Sequence, residues 1–116
     1  MLWVSYGKFT QESIKGMIAN PQNREEDVAK LMEALGGKLI SYHLLLNGYI
    51  DFFIVSDIPD EKFSENLLIS NMLVRASGSL ESIIHVPAMN ARDAVPQMQK
   101  AQKMAEAMAY KGPAET

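Results

Sequence analysis

The spacing of apolar positions changes several times along the chain, and each change marks an element. Residues 2–9, Leu-Trp-Val-Ser-Tyr-Gly-Lys-Phe, are rich in aromatic and β-branched types and predict a first strand. Thr10 offers an N-cap to a short helix around 11–19, where Ile14, Met17 and Ile18 fall at helical spacing. Asn20-Pro21 breaks it, because the residue before a proline is pushed out of the helical region. A second helical piece is expected at about 23–35. Asn23 is placed to cap it, Glu25, Glu26 and Asp27 suit its positive end, and Val28, Leu31, Met32 and Leu35 make one stripe. Gly36-Gly37 closes it, since a left-handed C-cap favours glycine.

Residues 38–46 read as a second strand and 49–56 as a third, with Asn47-Gly48 between them as a two-residue type I′ turn. Pro59 opens a helix reaching about residue 75, to which Phe63, Leu67, Met72 and Val74 contribute apolar groups. Ser77-Gly78-Ser79 is a loop. Residues 80–87 form a fourth strand, at a sheet edge because Pro87 has no N–H to donate. A last helix is expected at 94–110, with Asp93 as N-cap and Pro96 in the first turn. Val95, Met98, Ala101, Gln102, Ala105 and Met108 share one of its faces, and the tail after Tyr110 should be loose.

This order is β-α-β-β-α-β plus an added C-terminal helix. It predicts an α+β, ferredoxin-like domain over residues 1–88, with a helical extension and tail over 89–116. The sheet should be four-stranded and antiparallel, with helices on one face, strands one and three central, and two and four at the edges. Strand three carries Ile50, Phe52 and Ile54 on one side and Tyr49, Phe53 and Val55 on the other. In strand two, Leu39 and Leu45 oppose Ile40, Tyr42, Leu44 and Leu46. Two helices cover only one face, and monomers seldom leave such a patch bare. The expected cover is a second copy of the chain, sheet to sheet, or else the C-terminal helix.

Composition narrows the functional classes. The 116 residues suit one domain. There is no cysteine, so disulfides, thiolate zinc sites and thiol catalysis are excluded. The net charge of −3, without a block of like charges, argues against nucleic acid as a partner. No signal-peptide pattern opens the chain and no run reaches 18 apolar residues, so a cytoplasmic protein without membrane contact is expected. Phosphate loops, dinucleotide fingerprints and hydrolase elbows are missing from the sequence, and no cofactor is expected.

Asp51 stands out, because a carboxylate inside an apolar strand is costly unless paired or near water. It is a candidate general base or ligand hook; alternatively, it sits at the hairpin end and bonds loop amides or Tyr49. With a two-residue turn, residue 44 pairs with 51 and 43 with 52, so His43 and Asp51 fall on opposite faces unless a bulge intervenes. His43 and His85 are the only histidines. They lie on different edge strands, so no metal site is expected and each is read as a packing residue. Eight methionines suggest an adaptable binding surface, but Met17, Met32, Met72, Met98, Met104 and Met108 are read as core and subunit packing. Trp3, Tyr6, Tyr42 and Phe53 are aromatics that could line a small apolar pocket.

The segments Leu35-Gly36-Gly37-Lys38-Leu39, Asn47-Gly48-Tyr49-Ile50-Asp51-Phe52-Phe53 and Pro59-Asp60-Glu61 resemble the GYD domain family. So do Lys8-Phe9-Thr10-Gln11 and Ser77-Gly78-Ser79, which brings the resemblance to roughly residues 1–88. Aligning Gly48 and Asp51 with the Gly-Tyr-Asp signature places Ile50 at the tyrosine position, with Tyr49 one place early. The resemblance implies a ferredoxin-like fold of the dimeric α/β-barrel kind and no particular chemistry. The expected function is a homo-oligomeric structural or small-molecule-binding module. The alternative is a small cofactor-independent enzyme, of isomerase or monooxygenase type, on an apolar or aromatic substrate. Tyr42, Tyr49, Asp51 and Phe53 are the candidate ligand-binding residues and Asp51 the candidate catalytic one. A third reading makes the C-terminal helix a partner ligand of a regulatory subunit.

Overall fold

A computed structural model describes residues 1–45 and 47–108. The elements run β1 Leu2–Phe9, α1 Gln11–Ala19, α2 Glu25–Ala34, β2 Lys38–Leu44, β3 Phe52–Asp57, a 3-10 turn Asp60–Lys62, α3 Phe63–Ala76, β4 Leu80–Ala88 and α4 Ala91–Met108. The four strands form one antiparallel sheet in the order β2-β3-β1-β4. This is the ferredoxin-like α+β arrangement expected from the sequence, with β1 and β3 central and the proline-bearing β4 at an edge. The tail after Tyr110 and the last two residues expected of the final helix, 109 and 110, lie outside the described residues.

Local chemistry explains most element boundaries. The Thr10 hydroxyl accepts from the Ser13 N–H at 3.2 Å and caps α1. Asn23, expected to cap α2, stands one position too early: Arg24 is the N-cap, without a side-chain cap, and the Asn23 Oδ1 accepts from the Glu25 N–H at 2.9 Å. Gly36 closes α2 with φ +80, and Gly37 donates back to the Met32 carbonyl at 2.9 Å.

Burial alternates strictly along the two central strands. Trp3, Ser5, Gly7 and Phe9 of β1 and Phe52, Ile54 and Ser56 of β3 are buried, and their neighbours are half-buried. The buried set faces the helices. Trp3, Met32, Leu35 and Ile58 form one core cluster, and Phe9, Phe52 and Ile54 a second. The Trp3 and Phe63 rings meet edge-on at 5.7 Å.

Three expectations change. The β2–β3 connection is wider than a two-residue turn: the register is Leu44↔Phe52 and His43↔Phe53, one residue off the expected pairing. The Asn47 side chain causes this by accepting from the Tyr49 and Ile50 N–H groups at 2.9 and 2.8 Å, which curls the segment before strand three can start. A bulge between Leu39 and Ser41 shifts the register of β2, so Leu39 and Tyr42 both face the helices. α4 begins at Ala91, not at 94, with the Ala94 N–H bonded to the Asn90 carbonyl at 3.0 Å, so Asp93 and Pro96 lie inside the helix.

Among the described residues, no helix covers the second sheet face. Register partners share a face, so Val4, Tyr6, Phe53, Val55, Ile84 and Val86 form one apolar belt away from the helices. Ile84 and Val86 are 49% and 40% exposed. α4 does not cover this belt, since it buries no residue. The radius of gyration is 18.3 Å, against about 13 Å for a compact chain of this length, and the long axis measures 59 Å.

Candidate functional site

Between the sheet and its helices lies a cavity of about 290 Å³. All four strands line it, together with α1, α2 and α3. It exists because small residues stand at inward positions. Ser5 stands between Trp3 and Phe9 on the inner face of β1, and Ser70, 1% exposed, is a small inward residue of α3. Gly16 leaves the α1 side open, with nothing within 4 Å of where a Cβ would stand. The walls are largely apolar, built by Phe9, Leu31, Phe52, Ile54, Leu80 and Ile83.

Polar groups enter this chamber at a few places. Ser5 and His85 are register partners on neighbouring antiparallel strands, so their side chains meet directly on the inner face. The Ser5 hydroxyl lies 2.7 Å from His85 Nδ1. The His85 ring also packs on Trp3, with centroids 4.5 Å apart. Burial pushes the His85 pKa down to about 4, so the ring is uncharged near neutral pH. Its Nε2 is buried without a partner among the described residues, as are Trp3 Nε1 and Ser56 Oγ. Across the sheet, Tyr42 lines the cavity from β2. Burial raises its pKa, and the Arg24 guanidinium offsets part of that rise. Arg24 and Asp27 are the charged residues of the lining, and both are exposed, at the start of α2.

The residues singled out in the sequence do not converge. Tyr42 lines the cavity. Tyr49 is 86% exposed on the β2–β3 connection. Phe53 lies on the open face, opposite Tyr6 and His43. Asp51 stands at the end of the hairpin, where its Oδ2 accepts from the Phe9 N–H at 3.0 Å and its own N–H donates to the Gly7 carbonyl at 2.7 Å. The carboxylate thus closes the end of β1, which holds Phe9 in the cavity wall. This is the amide-bonding role weighed for it in the sequence, with a strand amide as the partner. Trp3 is buried beneath α3, and Tyr6 lies on the open face, so the four aromatics do not share a pocket either. No group of three metal-ligating side chains occurs among the described residues.

The Ser5–His85 pair was not singled out by sequence reasoning. Its signal was available: a serine and a glycine at inward positions of a strand that otherwise buries Trp3 and Phe9.

Comparison with known proteins gives one family. Residues 3–98 match the family described as GYD domain. The matched span contains the whole sheet but for Leu2 at the start of β1, the cavity and the first turns of α4. No curated protein matches the chain, and no solved structure does.

Proposed function

The chain belongs to the GYD domain family, and on that premise we propose that it is a homo-oligomeric module that binds a small, mainly apolar molecule between its sheet and helices. The cavity of about 290 Å³, with apolar walls and a few convergent polar groups, carries the reading. Its size and lining fit the lower end of small-molecule sites. The open belt around Phe53 and Val55 supports self-association, because a second copy offers the same self-complementary surface. Cavity and belt lie on opposite faces of the sheet, so binding and assembly use separate surfaces.

The enzyme reading, an isomerase or monooxygenase without cofactor, uses the same cavity and rests on the Ser5–His85 pair. It ranks second on chemical grounds. A ring whose pKa is pushed down to about 4 is a weak base at neutral pH. Asp51, the other candidate base, is bonded to the Phe9 amide.

The test is native mass spectrometry of the protein as purified, with small molecules retained. The expected particle is a dimer or larger oligomer carrying host-derived apolar molecules, which are released by unfolding. A strictly monomeric, ligand-free particle would remove both halves of the reading.

A further inference from the structure

We propose that the molecule held in this cavity is uncharged, an apolar body bearing a hydroxyl or carbonyl oxygen, and that ions of the same shape are rejected. This deepens the cavity-binding reading and rests on it.

The argument is the placement of charge. Of the residues lining the cavity, Arg24 and Asp27 carry charge, and both are exposed at the solvent edge. Among the described residues, no buried arginine, lysine or carboxylate lies in the wall to neutralise an ionised group inside. A charge moved into such a chamber loses its hydration and finds no counterion, which costs far more than burying a hydrogen-bonded neutral group.

At the rim Arg24 and Asp27 carry opposite charges, so the lining there adds no net charge to draw either sign inward. The uncharged polar side chains of the lining are the hydroxyls of Ser5, Ser13, Ser70, Ser79 and Tyr42, together with His85. Hydroxyls donate and accept, and so match the oxygen of an alcohol, phenol or ketone. The Ser5 hydroxyl is already fixed by His85 at 2.7 Å, which orients one such group before any ligand arrives.

The experiment is calorimetric titration of the full chain with three molecules of one shape: 2-naphthol, 2-naphthoate and 2-naphthylmethylammonium. The expected result is binding of 2-naphthol at least about tenfold tighter than either ion, the difference being the unpaid desolvation of the charge. Two plugs locate the site. Gly16→Phe adds a ring where a Cβ meets nothing within 4 Å, and Val28→Phe adds bulk from a second helix. At least one of these variants, with an unchanged circular dichroism spectrum, should lose 2-naphthol binding. If either ion binds as tightly as 2-naphthol and a plug abolishes it, the neutral-ligand inference is overturned while the cavity reading stands. If none of the three binds, or both folded plug variants bind 2-naphthol normally, the cavity reading falls and takes this inference with it.

Discussion

Asp51, a candidate base or ligand hook in the sequence, bonds the end of a strand in the structure. A carboxylate among apolar residues suggests a base, but here its Oδ2 takes up the last N–H of β1. Asp51→Ala leaves the Phe9 amide without its acceptor, and that costs about 1–3 kcal/mol in chemical denaturation. Asp51→Asn keeps an acceptor oxygen and should cost less. A loss of ligand affinity in a fully folded Asp51→Asn protein would mean that the carboxylate also acts on the ligand. His85 carries a pH signature of its own. Its folded pKa of about 4 lies below the unfolded value of 6.5, so between those values the unfolded chain binds more protons. Stability is therefore constant for this group above 6.5 and falls as pH drops from 6.5 toward 4. Discounted for the water that still reaches the half-buried ring, the loss is about 1–2 kcal/mol. His85→Gln should flatten that part of the profile; an unchanged slope would assign it to other groups.

At the scale of elements, much of the fold was legible because local signals agreed. The Thr10 hydroxyl caps α1, Gly36 closes α2 and Pro87 lies in an edge strand, and the structure keeps all three roles. What could not be read depended on side chains acting at a distance or on one extra residue. The Asn47 Oδ1 takes two amides and widens the hairpin, which moves His43 from Phe52 to Phe53. The bulge near Ile40 has no composition signal. Met72, expected among the apolar groups of its helix, is 64% exposed, because α3 turns Asn66 and Ser70 inward instead. The cavity escaped notice for the same reason, since it is made by small residues whose facing direction needs the register. Two glycines test this account in opposite directions. A Cβ on Gly7 would collide with the Ser82 carbonyl oxygen, so Gly7→Ala should push β1 from β4 and destabilise by about 1–3 kcal/mol. A Cβ on Gly16 meets nothing within 4 Å, so Gly16→Ala should stabilise α1 by about 0.5–1 kcal/mol. Thermal melts of the two variants should therefore move apart.

At the scale of the whole molecule, the two faces of the sheet divide the work. One face holds a chamber under helices. The other holds Val4, Tyr6, Phe53, Val55, Ile84 and Val86 with no helix over it among the described residues, since α4 buries nothing. If a second copy covers that belt, a charge at its centre should separate the copies without unfolding either. Phe53 is the position to use, because it lies between Tyr6 and His43 and is only half-buried in the single chain. A lysine there can reach water in the monomer, whereas in a sheet-to-sheet dimer it would face its own symmetry mate across an apolar layer. Sedimentation velocity at tens of micromolar should show the parent chain as a dimer or larger and Phe53→Lys as a monomer, with matching far-ultraviolet circular dichroism. The cavity lies behind the sheet, so the monomeric variant should keep 2-naphthol affinity within about threefold, a shift well under 1 kcal/mol. An oligomer that survives Phe53→Lys intact would place the subunit contact elsewhere. The exposed side of α3 or the stripe of Val95, Met98 and Met108 on α4 would then be the surfaces to charge next.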